Sequence, residues 1–152
     1  EKGRILACIE AKVDEEFNEL LNEAYKKAKQ EKIKDPNSNR QNRIEELCDK
    51  YLNVSAESIN SEPENNIRYQ LLYYLAGSIC EAEEYGNVVF MPIMVFKTNK
   101  YNETIGEMNR KDYKRFRKAL KFEMCNKEKE IYKRTFENVD VYISYIEIDF
   151  EN

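Results

Sequence analysis

Glu10-Ala11-Lys12 sets a carboxylate and an ammonium on alternate residues at the end of an otherwise apolar run, Ile5 to Val13 (I-L-A-C-I-E-A-K-V). On a strand these two side chains leave the same face, about 6–7 Å apart at the backbone. That geometry suits phosphodiester hydrolysis. The carboxylate holds a hard cation such as Mg²⁺, which prefers oxygen ligands, while the amine orients the attacking water and stabilises charge growing on the phosphate. Two charges at the tip of an apolar strand need compensation or a use. A plain ion pair at a strand end is the alternative reading of the same residues. A second acidic-x-Lys triplet, Asp112-Tyr113-Lys114, falls on a charged helical stretch and lacks this setting.

The chain has no histidine. This removes Ser-His-Asp triads, Cys-His pairs and His-ligated metals, and leaves chemistry to Asp, Glu, Lys, Arg, Tyr, Gln or an oxygen-bound metal. The four cysteines, Cys8, Cys48, Cys80 and Cys125, are far apart and form no C-x-x-C pair, which argues against zinc. Cys8, Cys48 and Cys80 lie in apolar patterns and read as small buried hydrophobes. The net charge of −4 does not advertise a nucleic-acid binder, but its distribution is uneven. Arg110 to Lys121 holds seven basic residues and one acidic, a local charge of +6. Lys114, Arg115, Arg117 and Lys118 are candidates there for contact with a phosphate backbone; a solvated helix face is the alternative.

The elements that must position these groups follow from periodicity. Ile5 to Val13 reads as a buried central strand. A helix is expected from Asp14 as N-cap, with Phe17, Leu20, Leu21, Ala24, Tyr25 and Ala28 along one stripe, ending near Asp35-Pro36. A second helix carries Ile44, Leu47, Cys48, Tyr51 and Leu52, and a polar surface loop spans residues 53–66. From Ile67 the chain is apolar almost all round, which predicts the most buried helix, capped by Gly86. Val88 to Phe96 reads as a hydrophobic strand with a bulge or edge at Pro92. Residues 97–109 read as a polar connection, 112–121 as a short basic helix, and Val139 to Phe150 as a half-exposed final strand; 126–134 has no clear reading. Strand, helices, strand implies a parallel crossover.

The run I-E-A-K-V-D-E-E-F (Ile9 to Phe17), followed by R-Y-Q-L-L-Y-Y-L-A-G-S-I-C-E-A (Arg68 to Ala82), resembles an uncharacterised bacterial group within the PD-(D/E)xK nuclease superfamily. The likeness spans residues 5 to about 96. It implies an α/β, restriction-endonuclease-like fold, a mixed central sheet flanked by helices. Matched residue by residue, Glu10 corresponds to a metal-binding Glu for Mg²⁺ or Mn²⁺ and Lys12 to the catalytic Lys. Gln70 and Tyr74 meet the Q-x-x-x-Y spacing of the superfamily's exonuclease branches. They are one helical turn apart and share a face. Arg68 beside them is a phosphate-contact candidate, or a partner for Glu10 or Glu64. The superfamily also carries an Asp on the preceding strand. Glu1-Lys2-Gly3-Arg4 resembles the turn after that strand, so the resemblance implies that the strand is missing: either the sequence is a fragment of a longer protein, or a carboxylate from elsewhere, such as Glu81 or Glu1, serves instead.

At 152 residues, 41% hydrophobic and 36% charged, the sequence fits one domain spanning residues 1–152, with a modest core inside a strongly solvated surface. No apolar run is long enough for a membrane span and no signal peptide is evident, so a cytoplasmic protein without membrane contact is expected. Two functions fit. One is a metal-dependent nuclease acting on nucleic acid, with DNA favoured. The other is a nuclease-fold protein that has lost catalysis and binds a protein partner in the manner of an immunity protein; it predicts a site closed by internal ion pairs.

Overall fold

The computed structural model describes residues 4–13 and 15–150. Glu1 and Asp14, named above as a substitute carboxylate and a helix cap, lie outside the described residues. Among the described residues, six strands form one mixed sheet, with four α-helices packed against it. In chain order the elements are β1 (Leu6–Ala7), β2 (Glu10–Lys12), α1 (Leu21–Lys34), α2 (Arg40–Leu47), α3 (Tyr69–Tyr85), β3 (Val88–Lys97), α4 (Glu103–Ala119), β4 (Glu123–Asn126), β5 (Ile131–Phe136) and β6 (Val139–Asp149). Both β1 and β2 pair in parallel with β3, β3 pairs in parallel with β6, and the antiparallel β5 and β4 complete the sheet.

Pro92 explains why the N-terminal strand is broken and why it does not bulge β3. The Cys8 N–H donates to the Phe90 carbonyl at 3.0 Å, so residue 90 presents its backbone groups to the N-terminal strand. Residue 92, two positions on, presents its groups to the same side. In a parallel ladder its N–H would go to the Cys8 carbonyl, and proline has none to give. Pairing therefore lapses between Ala7 and Glu10, while the other side of Pro92 stays in register with Ser144. Ile5, Ile9 and Val13 are exposed, so among the described residues this is an edge strand and not the buried central one expected. The central positions belong to β3 and β6. The final strand is thus inside the sheet, with Val139, Val141, Ile143 and Ser144 buried.

Directly paired residues share a sheet face, which places Glu10, Ile93 and Tyr145 in one row and Lys12, Val95 and Glu147 in the next. This is the face the helices cover. Gln70 of α3 reaches Glu10, and Tyr113 of α4 packs on Tyr145 with ring centroids 5.4 Å apart. Phe17, Leu21, Ile44, Leu71, Leu72, Leu75, Met91 and Phe116 are fully buried between helices and sheet. Burial of each such side chain contributes about 1.5–3 kcal/mol.

Three helices depart from expectation. The first starts at Leu21, not at residue 14. Residues 15–20 stay extended because tertiary partners take their backbone groups: Asn109 and Gln70 accept from the amides of Phe17 and Asn18, and Arg68 donates to the carbonyls of both. The predicted basic helix begins at Glu103, nine residues earlier than expected, because Asn102 caps it by accepting from the amides of Thr104 and Ile105. Tyr101 then folds against Gly106, where a Cβ would stand 1.7 Å from its hydroxyl. The buried helix α3 ends at Gly86 as predicted, at φ 132°, but Tyr73 and Cys80 are exposed on its outer side. Cys80 is therefore no core residue.

In the second helical segment, α2 passes into one wider π turn, Cys48–Leu52, which Asn53 ends at φ 57°. The loop that follows holds two short 3₁₀ turns and a fully buried Ile59. Residues 123–136 form the β4–β5 hairpin. No helix among the described residues is long and apolar enough to cross a membrane.

Candidate functional site

Glu10, Lys12 and Gln70 converge at the C-terminal end of β2. The Gln70 side-chain amide donates to Glu10 Oε1 at 2.7 Å, and its carbonyl oxygen accepts from Lys12 Nζ at 3.3 Å. Lys12 Nζ also stands 3.3 Å from Glu10 Oε1. The same Gln70 oxygen accepts from the Asn18 amide at 3.1 Å, so one glutamine ties together the strand tip and the extended segment after it. The ammonium has two further acceptors, the Glu16 carbonyl at 3.4 Å and Glu15 Oε1 at 3.5 Å, and lies 5.2 Å from the centre of the Phe17 ring. With 3% of its surface exposed, Lys12 is a fully engaged buried cation. Glu10 is different. It borders an open cleft of about 470 Å³ with Cys8, Tyr74, Ser78 and Glu81.

Tyr74 shares a helix face with Gln70, as the spacing predicted, but its hydroxyl donates to the Cys8 carbonyl. That is the acceptor Pro92 leaves unfilled. Tyr74 thus replaces the missing ladder bond and holds the edge strand where pairing lapses. Burial raises the pKa of its phenol, and the neighbouring Cys8 and Glu10 add to the rise, so it remains a donor at neutral pH.

Arg68 is used inside the fold. Its Nε donates to Asp112 Oδ2 at 2.6 Å, its Nη1 to the carbonyls of Phe17 and Asn18 at 3.1 Å each, and Nη2 stands 3.7 Å from Glu16. Neither Glu10 nor Glu64 is its partner. Asp112 and Asn109, both buried on α4, were not among the expected site residues. Asn109 bridges the Phe17 amide at 3.3 Å and the Glu15 carbonyl at 2.9 Å. Asp112 did stand in view as the acid of the second acidic-x-Lys triplet; the spacing four before Phe116 and one before Tyr113 was the signal that it faces inward.

The basic residues of α4 spread around the helix. Asn109, Asp112 and Phe116 face the extended segment and the core, whereas Arg110, Lys114 and Arg117 follow a separate line on the flank toward β5, where the Arg117 guanidinium sits 3.8 Å from the centre of the Tyr132 ring. Arg115 lies on the side of Asn66, whose carbonyl it approaches at 3.5 Å, and Lys118 is exposed. Lys114 and Arg117 are thus separated from Glu10 by the body of α4.

For a divalent cation the described residues offer one carboxylate at the strand tip, with no group of three or more acidic, Cys or His side chains gathered around it. Mg²⁺ is commonly held by one or two carboxylates and completed by water and substrate phosphate. Glu10 fits as such a ligand: Oε1 is taken by Gln70 and Lys12, and no hydrogen bond from the described residues reaches Oε2. Glu81 borders the same cleft.

No curated protein and no solved structure matches this chain. One family does, described as a domain of unknown function, DUF6946, over residues 1–150. With nearly its whole length covered, the chain belongs to the DUF6946 family.

Proposed function

We propose that this protein is a metal-dependent phosphodiesterase of the nuclease type, acting at the cleft beside Glu10. The observation that carries the reading is the seating of Gln70 between Glu10 and Lys12. Side chains distant in sequence meet at one point, at the carboxyl end of a parallel strand, where open α/β sheets place their ligands. The resemblance to PD-(D/E)xK nucleases supports the same assignment. Glu10 would hold the metal through Oε2, with Glu81 as a further carboxylate on the cleft wall. A bound Mg²⁺ or Mn²⁺ would polarise a phosphate oxygen and lower the pKa of an attacking water. Gln70 fixes the orientation of Glu10 and keeps Lys12 in place. Lys12 supplies the positive charge behind the carboxylate, and to act on water or phosphate it must give up one of its present acceptors. Nucleic acid, DNA in the first instance, is the proposed substrate.

The saturated state of Lys12 favours a second reading, a nuclease-fold protein that binds a protein partner without catalysis. An ammonium with four acceptors and 3% exposure is the closed ion pair that reading expects. The test is cleavage of plasmid and linear DNA with Mg²⁺ or Mn²⁺, comparing the 152-residue chain with Lys12→Ala and Glu10→Gln, each checked for folding by circular dichroism. Cleavage that both substitutions lower by about 100-fold or more supports hydrolysis at the strand tip. Cleavage that survives both would place any nuclease activity elsewhere, and no metal-dependent cleavage by the parent chain would favour the partner-binding reading.

A further inference from the structure

On the flank of α4 turned away from Glu10, a cavity of about 410 Å³ opens between the helix and strands β5 and β6, bordered by Lys114, Arg117, Tyr113, Tyr145, Glu130 and Glu147 among others. Two features of its lining are unexplained by the fold. The hydroxyls of Tyr113 and Tyr145 are shut off from bulk water, and neither has a hydrogen-bond partner among the described residues. Tyr113 is 5% exposed. A buried hydroxyl without a partner is costly enough that native structures rarely keep one, and its usual explanation is a bound water or ion. Beside them, Lys114 and Arg117 form no salt bridge with a carboxylate among the described residues. Glu147 is already neutralised by Arg110 and Lys97, which leaves Glu130 as the one unpaired acid at the rim among the described residues.

We propose that this cavity is a binding site for a phosphate group, held by the side chains of Lys114 and Arg117 and, once their rings shift toward it, by the hydroxyls of Tyr113 and Tyr145. Every group in that set can donate, so the ligand must accept; two of them are cations, so it must carry negative charge. A flat carboxylate brings two oxygens, whereas four donors arriving from the helix and the sheet match a tetrahedral oxyanion with three or four. Arg117 is held by its stacking on Tyr132, so its fork loses less freedom on binding. Burial raises the pKa of both phenols, which keeps them protonated as donors at neutral pH. The site stands whether or not Glu10 supports hydrolysis, because α4 lies between the two.

Calorimetric titration of the 152-residue chain tests this, with inorganic phosphate, a nucleoside 5′-monophosphate and a short single-stranded DNA as separate probes. Phosphate or the monophosphate should bind at millimolar concentration or tighter. Lys114→Gln should weaken it by about tenfold, Tyr113→Phe by about three- to tenfold without loss of fold, and Glu130→Gln should tighten it. Comparable affinity for the mononucleotide and the DNA would identify an isolated phosphate ester as the ligand. DNA binding at least about tenfold tighter, lost with the same two substitutions, would identify a phosphate of a polymer. Absence of binding by all three probes at about 20 mM, or binding that Lys114→Gln and Tyr113→Phe leave unchanged, would overturn the proposal.

Discussion

The two flanks of α4 treat their buried polar groups in opposite ways. Toward the N-terminal strand, Arg68 engages Asp112 and two backbone carbonyls, Asn109 bridges an amide and a carbonyl, and Lys12 meets four acceptors. Toward β5 and β6, two tyrosine hydroxyls are buried without partners among the described residues, beside Lys114 and Arg117, which form no salt bridge there. Low local dielectric strengthens a completed network and penalises an incomplete one. The first flank is therefore a self-sufficient clamp that fixes an irregular segment and, through Gln70, the Glu10–Lys12 tip. The second is a lining whose partner comes from outside the chain. Proximity to positive charge alone does not tell the two apart; the satisfaction of donors and acceptors does.

Breaking the clamp should have the largest effect. Arg68→Ala leaves Asp112, whose side chain is 8% exposed, as a buried unpaired charge and frees two carbonyls. A loss of about 3–5 kcal/mol in urea unfolding is expected. A loss under about 1 kcal/mol would show that the segment from Glu15 to Leu20 is held by Phe17 packing and not by this arginine. Lys12→Met should follow, at about 2–3 kcal/mol, since it removes the cation beside Glu10 while keeping most of the volume. Adding Glu10→Gln should recover part of that loss, because an unpaired carboxylate is the main cost; additive losses would mean that Lys12 contributes mostly through packing on Phe17.

The other flank should respond more weakly and mainly to acid. Burial tends to raise the pKa of Glu147, but hydrogen bonds and charges from Arg110 and Lys97 outweigh it and hold the carboxyl below its ordinary value of 4.5. The folded state thus binds this proton less readily than the unfolded chain. The resulting stability is present above about pH 4.5 and disappears as pH falls through the lower folded value. Because Arg110 is 45% exposed at its side chain, solvent screens much of the interaction. Glu147→Gln should therefore flatten the acid limb of stability against pH by less than about 1 kcal/mol and leave the limb above neutrality unchanged. An unchanged acid slope would transfer it to the other depressed carboxyls, Glu19, Glu45 and Asp140.

Periodicity and turn chemistry were sufficient for much of the frame. The stop of α1 before Asp35-Pro36, the run of α3 to Gly86, the strand Val88–Lys97 and the parallel crossover to it all rest on local pattern and chirality. The shared face of Glu10 with Lys12 and of Gln70 with Tyr74 follows in the same way, from periods of two and of 3.6 residues. What the tertiary structure alone decided concerns partners. Nothing local says that Arg68 will strip residues 15–20 of their helix, that Asp112 will turn inward to meet it, or that Tyr74 will supply the hydrogen bond Pro92 cannot. The strand carrying Glu10 reads as central because it is apolar, yet it lies at the described edge of the sheet with Ile5, Ile9 and Val13 exposed, since the apolarity of a segment fixes neither its burial nor the order of strands. Backbone donors and acceptors are identical at every residue, so which of them meet across 50 or more positions is set by the packed chain and leaves little trace in the pattern of side chains.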